Sequence, residues 1–331
     1  MHVLVIGGTR FVGYFLTWRL IAQGHKITLL NRGKIPDPFG DRVERLKGDR
    51  STPAFKKLLG GRKFDAVVDF AAYTAADVRG VIETLSKGRA GHYVFLSTGQ
   101  VYLVREACPR PAKETDFVGA LIPEPKSEPE HEEWLYGVGK REAEDILHQA
   151  WRTDGFPSTR IRVPMVNGER DHFRRIEGYL RRLLDGGPIL LPGKGEEVCR
   201  HVYGQDVART IADLIGKREA FGEFFNLSQD EEPKLRELVG VLAEMLGARA
   251  QLMPIPVEKL IEHGLEPTQV SPFSTPWMSH LDPSKAKSEI GFRHTPLREY
   301  LGHIVSSFLT HPPSSVPVGY KRRAEEFSLL K

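Results

Sequence analysis

Tyr136 and Lys140 stand four residues apart in the segment Trp134-Leu135-Tyr136-Gly137-Val138-Gly139-Lys140-Arg141. A helix through this segment carries both side chains on one face. A tyrosine with its ordinary pKa near 10 is a poor base at neutral pH. A cation beside it favours the phenolate and brings the group toward working range. The chemistry on offer is proton exchange with a hydroxyl or carbonyl oxygen. Taken alone, the same spacing also describes a surface helix with an incidental Tyr–Lys neighbour. A second chemical feature opens the chain: Val3-Leu4-Val5-Ile6 runs into Gly7-Gly8-Thr9-Arg10-Phe11-Val12-Gly13. Glycine lets a backbone approach an anion, and a helix start offers free N–H groups and positive dipole, so strand, turn and helix make a phosphate site. The spacing is not Gly-x-Gly-x-x-Gly, because Thr9 holds the third position. A tight turn that binds nothing is the alternative.

These residues need a frame, and the first half of the chain supplies one. Strands are expected at His2–Ile6, Lys26–Leu30, Val43–Lys47, Asp65–Ala71, His92–Ser97 and Thr159–Val163, with helices at Phe11–Gln23, Pro53–Leu59, Ala75–Lys87 and Glu133–Arg152. The alternation implies an α/β fold, a doubly wound parallel sheet with helices on both faces. Ligands of such sheets bind at the C-terminal strand ends. Those ends carry Asn31-Arg32, Asp49-Arg50, Phe70-Ala71-Ala72-Tyr73, Ser97-Thr98-Gly99-Gln100 and Pro164-Met165-Val166-Asn167. Residues 105–133, rich in Pro, Glu and Lys, read as a surface loop or lid. Arg170, Arg174, Arg175, Arg181 and Arg182 read as a solvated helix face or a basic face for phosphate. A helix over Asp206–Ile215 and a strand over Glu223–Leu227 follow, and the stretch from Pro233 to Leu309 reads as mainly helical.

The 331 residues suit two domains, or one large domain with a lobe, and the net charge of +4 permits an anionic ligand without calling for nucleic acid. Cys108 and Cys199 lie far apart, and His131, His148, His172 and His201 show no ligand spacing, so neither a disulfide framework nor a metal is expected. No stretch approaches the roughly 20 apolar residues of a membrane helix. The apolar start leads straight into the glycine turn, which makes it a core strand and not a signal peptide, and the cytoplasm is the expected compartment.

Taken together, the opening turn, Asp49-Arg50, Phe70-Ala71-Ala72, Ser97-Thr98-Gly99-Gln100-Val101-Tyr102, Tyr136-x-x-x-Lys140, Tyr203-Gly204-Gln205-Asp206-Val207-Ala208 and Leu281-Asp282-Pro283-Ser284-Lys285-Ala286 resemble the extended short-chain dehydrogenase/reductase superfamily, the NAD-dependent epimerase/dehydratase family. The resemblance implies a Rossmann domain over 1–164 plus about 201–228, a smaller, mainly helical substrate lobe over 165–200 and 229–311, and a loosely attached tail over 312–331. It implies an oxidoreductase or epimerase acting on a hydroxyl or carbonyl carbon of a sugar-like or other small polar substrate. Tyr136 is then the acid/base, Lys140 holds the nicotinamide ribose and lowers the tyrosine's pKa, and Thr98 bonds the substrate oxygen. The cofactor would lie against Gly7 to Gly13, Asn31, Arg32, Asp49, Arg50, Phe70, Ala71, Ala72, Tyr136, Lys140 and Pro164. The substrate would meet Tyr73, Gln100, Asn167 and Arg200. A homodimer through the Tyr136 helix and its neighbour near Ala75–Lys87 is also implied.

The departures from the family pattern carry expectations of their own. Asn31 stands where a carboxylate would bind the adenosine ribose hydroxyls and repel a 2′-phosphate. With Arg32 beside it and Arg10 in the turn, NADP(H) is expected over NAD(H). Gly99-Gln100 replaces the Asp-Glu of relatives that eliminate water from a hexose, so no 4,6-dehydratase activity is expected. Met165 and Cys199 replace residues that contact nucleotide sugars in many relatives. Gly-Gly-Thr-Arg-Phe is similar to a branch that includes the chloroplast stem-loop-binding proteins, which are linked to RNA. An RNA-binding protein, or a cofactor-binding regulator without turnover, is therefore the alternative.

Overall fold

The computed structural model describes residues 1–330. In chain order its elements are β1 (His2–Ile6), α1 (Phe11–Ala22), β2 (Lys26–Asn31), β3 (Val43–Lys47), α2 (Ala54–Leu59), β4 (Ala66–Asp69), α3 (Ala75–Leu85), β5 (Tyr93–Thr98), α4 (Gln100–Leu103), α5 (Glu128–Asp154) and β6 (Ser158–Val163). They continue with β7 (Val166–Asn167), α6 (Arg175–Leu184), β8 (Ile189–Pro192), β9 (Val202–Tyr203), α7 (Gly204–Leu214), β10 (Phe224–Asn226), α8 (Leu235–Leu246), β11 (Leu252–Ile255), α9 (Val257–Glu262), α10 (Pro267–Val270), α11 (Ser284–Ile290), α12 (Leu297–Thr310) and α13 (Arg323–Ser328).

One sheet of seven strands runs in the order β10-β6-β5-β4-β1-β2-β3, with every pairing parallel. The strand order reverses direction between β1 and β4, which is where a doubly wound sheet opens its crevice. The inner strands β1 and β4 are mostly apolar because both sheet faces are covered there. On one face Leu4, Ile6, Val67, Tyr93 and Phe95 pack with Val78, Val81 and Leu85 of α3 and with Ala143 and Leu147 of α5. Burying each such Val, Leu or Phe side chain contributes roughly 1.5–3 kcal/mol before entropy is counted. α1 and α7 pack together elsewhere in the same unit. The start of α3 is set locally. Thr74 Oγ1 accepts the Asp77 N–H, and Asp77 Oδ2 accepts the N–H groups of Tyr73 and Thr74.

The described residues form two compact units, 1–164 with 204–228 and 279–293, and 165–203 with 229–278 and 294–330. The segment 279–293 was expected in the lobe. It joins the sheet-bearing unit because Ala112 bridges Leu281, and Lys285 donates to Glu223 and to the Phe224 carbonyl of β10. The second unit has its own core, in which Ile176, Tyr179 and Leu180 of α6 meet Leu238 and Leu242 of α8 and Leu301 and Ile304 of α12.

Three sequence expectations are corrected here. The tail is not loose: Glu326 is buried between Arg182 and Arg323, Arg323 also pairs with Asp185 at 2.8 Å, and Leu329 fills a small core with Leu190 and Leu260. The arginine run is neither a free basic face nor simply solvated. Arg174 and Arg181 pair with Glu177, Arg175 with Asp171, and Arg182 with Glu326. The stretch 105–133 is not all surface loop: Ala112 and Glu114 are buried, and α5 already begins at Glu128. Among the described residues no helix is long and apolar enough to cross a membrane.

Candidate active site

The site is built at the C-terminal ends of β1, β4 and β5. The glycine turn follows β1. Gly7 has φ of +84°, and a Cβ there would stand 3.3 Å from the Phe70 Cβ and 3.4 Å from that of Ala71, so Phe70 and Ala71 lie against the turn. Gly13 lets α1 press onto the turn; its Cβ would lie 2.8 Å from both the Gly7 oxygen and the Gly8 Cα. Thr17 ties the two together by donating to the carbonyls of Gly13 (2.7 Å) and Gly8 (3.1 Å). The start of α1 carries no side-chain cap, so no residue competes for its first N–H groups. Phe11 and Val12 are in the core and offer only backbone to the turn, while Arg10 is exposed and Thr9 is buried.

Asn31 ends β2 and accepts the Gly33 N–H at 2.7 Å, with Arg32 exposed beside it. Asp49 accepts both the N–H and the hydroxyl of Ser51. Arg50 forks onto Asp69 with two bonds of 2.9 Å, and its Nε lies 3.2 Å from Asp77. Asp69, fully buried at the end of β4, also accepts the Ala71 N–H and the Tyr93 hydroxyl at 2.9 Å. Burial alone would raise its pKa, but Arg50 and these donors hold it below the usual carboxylate range. Sequence reasoning missed this group; an aspartate in the otherwise apolar Ala66-Val67-Val68-Asp69 was the available signal.

Thr98 ends β5, where it favours the Tyr136 phenolate, and its Oγ1 accepts the Gln100 N–H at 3.3 Å. Gly137 lets α5 close onto α4, since a Cβ there would sit 2.6 Å from Val104 Cγ1. One turn along, Lys140 is buried and donates to the carbonyls of Ala72 and Leu96, both at 2.7 Å. Its ammonium lies 5.9 Å from the Tyr136 ring centre, 5.0 Å from that of Tyr73 and 4.6 Å from that of Phe95. A further turn along, buried Glu144 accepts Ser97 Oγ at 2.5 Å and pairs with buried Arg162, clamping α5 to the two strands that end at the site.

The electrostatics differ from the expectation for the tyrosine. Burial pushes the Tyr136 phenol up to about 12; Thr98 opposes this, and Tyr73 and Glu133 add to the rise. Lys140's own burial brings its ammonium down to about 8, and two backbone carbonyls hold it. Glu133 was also missed. One turn before Tyr136, its carboxylate takes the Gln100 side-chain amide. A Glu on the face already assigned to Tyr136 and Lys140 was its signal. Tyr73 is 52% exposed with its ring centre 6.1 Å from that of Tyr136, and Pro164 is buried after β6.

Asn167 and Arg200 belong to the second unit. Asn167 is fully buried and bonds His201 Nδ1 at 2.6 Å; Arg200 is mostly buried, pairs with Glu232 and donates to the Gln229 carbonyl.

Fold and site define a doubly wound α/β protein with a glycine-turn cradle and a Thr–Tyr–Lys cluster at its strand ends. The chain belongs to the NAD dependent epimerase/dehydratase family, whose model matches residues 3–228. It is 31% identical over 243 residues to the chloroplast stem-loop binding protein of 41 kDa b from Arabidopsis thaliana, a match covering 69% of this chain and 59% of that protein. It is 24% identical over 264 residues to 2'-dehydrokanamycin reductase from Streptomyces kanamyceticus, covering 78% of this chain and 70% of that one. Among solved structures it is similar in fold to UDP-glucose 4-epimerase with UDP-glucose from Thermotoga maritima. That match has a TM-score of 0.76 and 20% identity, over 94% of this chain and 99% of that one.

Proposed function

We propose that this protein is a nicotinamide-dependent oxidoreductase or epimerase acting on a hydroxyl or carbonyl carbon of a sugar-like substrate, with Tyr136 as its proton donor and acceptor. One observation carries the reading: buried Lys140 lies one turn along α5 from Tyr136, its ammonium 5.9 Å from the Tyr136 ring centre, beside the end of β5 where Thr98 stands. The cradle fits a dinucleotide. Gly7 and Gly13 leave room that side chains would fill, the first turn of α1 is uncapped, and Phe70 and Ala71 lie against the turn. Gly7 to Gly13 would hold the pyrophosphate, Asn31 and Arg32 the adenosine ribose, and Lys140 the nicotinamide ribose. When bound, the nicotinamide supplies a hydride donor or acceptor. Tyr136 gives its proton to the substrate oxygen on reduction and takes it back on oxidation, while Thr98 orients that oxygen. A phenol with a pKa of about 12 is protonated at neutral pH, which favours the donor role.

NADP(H) is the cofactor of this reading, because Arg32 and Arg10 are exposed at the ribose end and no carboxylate ends β2. Water elimination from a hexose is not part of it. Gln100 is neutral, and a side chain at Gly99 would run into Ser279, whose Cβ lies 2.6 Å from the added Cβ, and Leu281 at 3.1 Å. RNA binding receives less support, because Arg174, Arg175, Arg181, Arg182, Arg322 and Arg323 are all paired with carboxylates.

The test is Tyr136→Phe, which keeps the ring and removes the proton path. Stopped-flow hydride transfer should fall by about 10²–10⁴-fold, while NADP(H) affinity by calorimetry changes little. Unchanged turnover, or a large loss of cofactor affinity, would overturn the assignment.

A further inference from the structure

Behind α4 lies a cavity of about 210 Å³ that the proposed chemistry does not use. Its lining includes Arg105, Arg110, His280, Ser279, Tyr102 and Cys108, and no carboxylate residue is among those that line it. Arg105 is the telling member. Its Nε and Nη1 are buried and make no hydrogen bond among the described residues, and the guanidinium is near enough to favour the Cys108 thiolate. Guanidinium N–H groups are strong donors, and leaving a buried donor without an acceptor costs roughly 1–3 kcal/mol. Arg110 adds a second, exposed guanidinium at the same cavity. Two planar cationic forks with no acidic partner suit an oxyanion that accepts several bonds at once. The cavity is smaller than the roughly 300–1,000 Å³ of drug-sized sites, so its occupant is small.

We propose that this cavity binds a phosphoryl group, held by Arg105 and Arg110 with His280 and Ser279 beside it. The phosphate belongs either to a free small anion or to a short phosphorylated compound. Occupancy reaches the catalytic cluster through the wall of the cavity. Tyr102 and Leu103 belong to α4, which starts at Gln100, and Ser279 stands against Gly99, next to Thr98. The site is independent of the reading of Tyr136, so either can fail alone.

The chain's two cysteines provide the probe. Cys108 is half-buried in the cavity wall, whereas Cys199 is fully buried in the other unit and serves as an internal control. Burial pushes the Cys108 thiol up, and Arg105 opposes that. An anion on Arg105 both blocks the thiol and cancels this help, and each effect slows attack by the thiolate. Alkylation of Cys108 by N-ethylmaleimide, followed by mass spectrometry, should slow severalfold in saturating inorganic phosphate, pyrophosphate or AMP, compared with chloride at equal ionic strength. Protection by phosphate and pyrophosphate but not by AMP assigns a free anion; protection by AMP assigns a phosphorylated compound. Arg110→Ala should weaken the protection and Arg105→Met remove it. Calorimetry on the unmodified protein reads the same binding should Arg105→Met fail to fold. Absence of both protection and heat with all three probes overturns the proposal, as does protection that chloride matches or that survives both substitutions.

Discussion

Lys140 allows a test that needs no substrate. Its ammonium is 2% exposed and held by two carbonyls, and burial brings its pKa from 10.5 to about 8 against the pull of Asp69 and Glu144. That fall corresponds to about 3 kcal/mol, at ~1.4 kcal/mol per pKa unit. Below pH 8 the lysine is charged in folded and unfolded chains alike, and the penalty for burying the charge is fully present. Between about pH 8 and 10.5 the folded chain releases its proton first. The unfolded chain then holds more protons, and stability rises with pH. Above 10.5 the penalty is gone. Methionine carries no proton, so Lys140→Met isolates this one titration while all other groups cancel. Urea denaturation of both proteins from pH 7 to 10.5 should show the wild-type stability, relative to Lys140→Met, climbing by about 3 kcal/mol across that window. A flat difference would mean that water solvates the ammonium. A falling one would mean that Asp69 and Glu144 outweigh burial. Either result refutes the buried-ammonium site.

The cofactor assignment predicts that Arg32→Ala weakens NADP(H) by about 1.5–3 kcal/mol, the scale of a lost charge-assisted bond, and leaves NAD(H) nearly unchanged; equal loss for both in calorimetry counts against it. No 4-keto-6-deoxy sugar should form from any nucleotide hexose, and its detection by mass spectrometry would contradict the reading of Gly99 and Gln100. A homodimer through α3 and α5 is expected, isologous pairing being the commonest arrangement; a monomer mass in solution scattering at working concentration would remove it.

Periodicity and punctuation determined much by themselves. An apolar β1, a glycine turn and the helical spacing of α1 could be read in order, as could the β4 and β5 runs, because a sheet covered on both faces writes itself as continuous apolar stretches; β6 follows with Arg160 and Arg162 in its run. The Tyr136–Lys140 face was legible for a similar reason: helical spacing is local. Partnership across the chain was not. Arg50 follows β3, and its partners Asp69 and Asp77 come from the next βα unit. The arginines of α6 looked solvated, yet Arg182 closes on Glu326 of the tail. Segment 279–293 looked like lobe, yet it lies along β10 and Ala112. The sign of the Tyr136 shift also depended on the tertiary structure. A lysine four residues away favours the phenolate, but burial opposes the charged form of both groups, and here burial is the largest cause for each. Local spacing decides which residues share a face; desolvation and ion pairing depend on atoms brought together from distant parts of the chain, which no window of sequence contains.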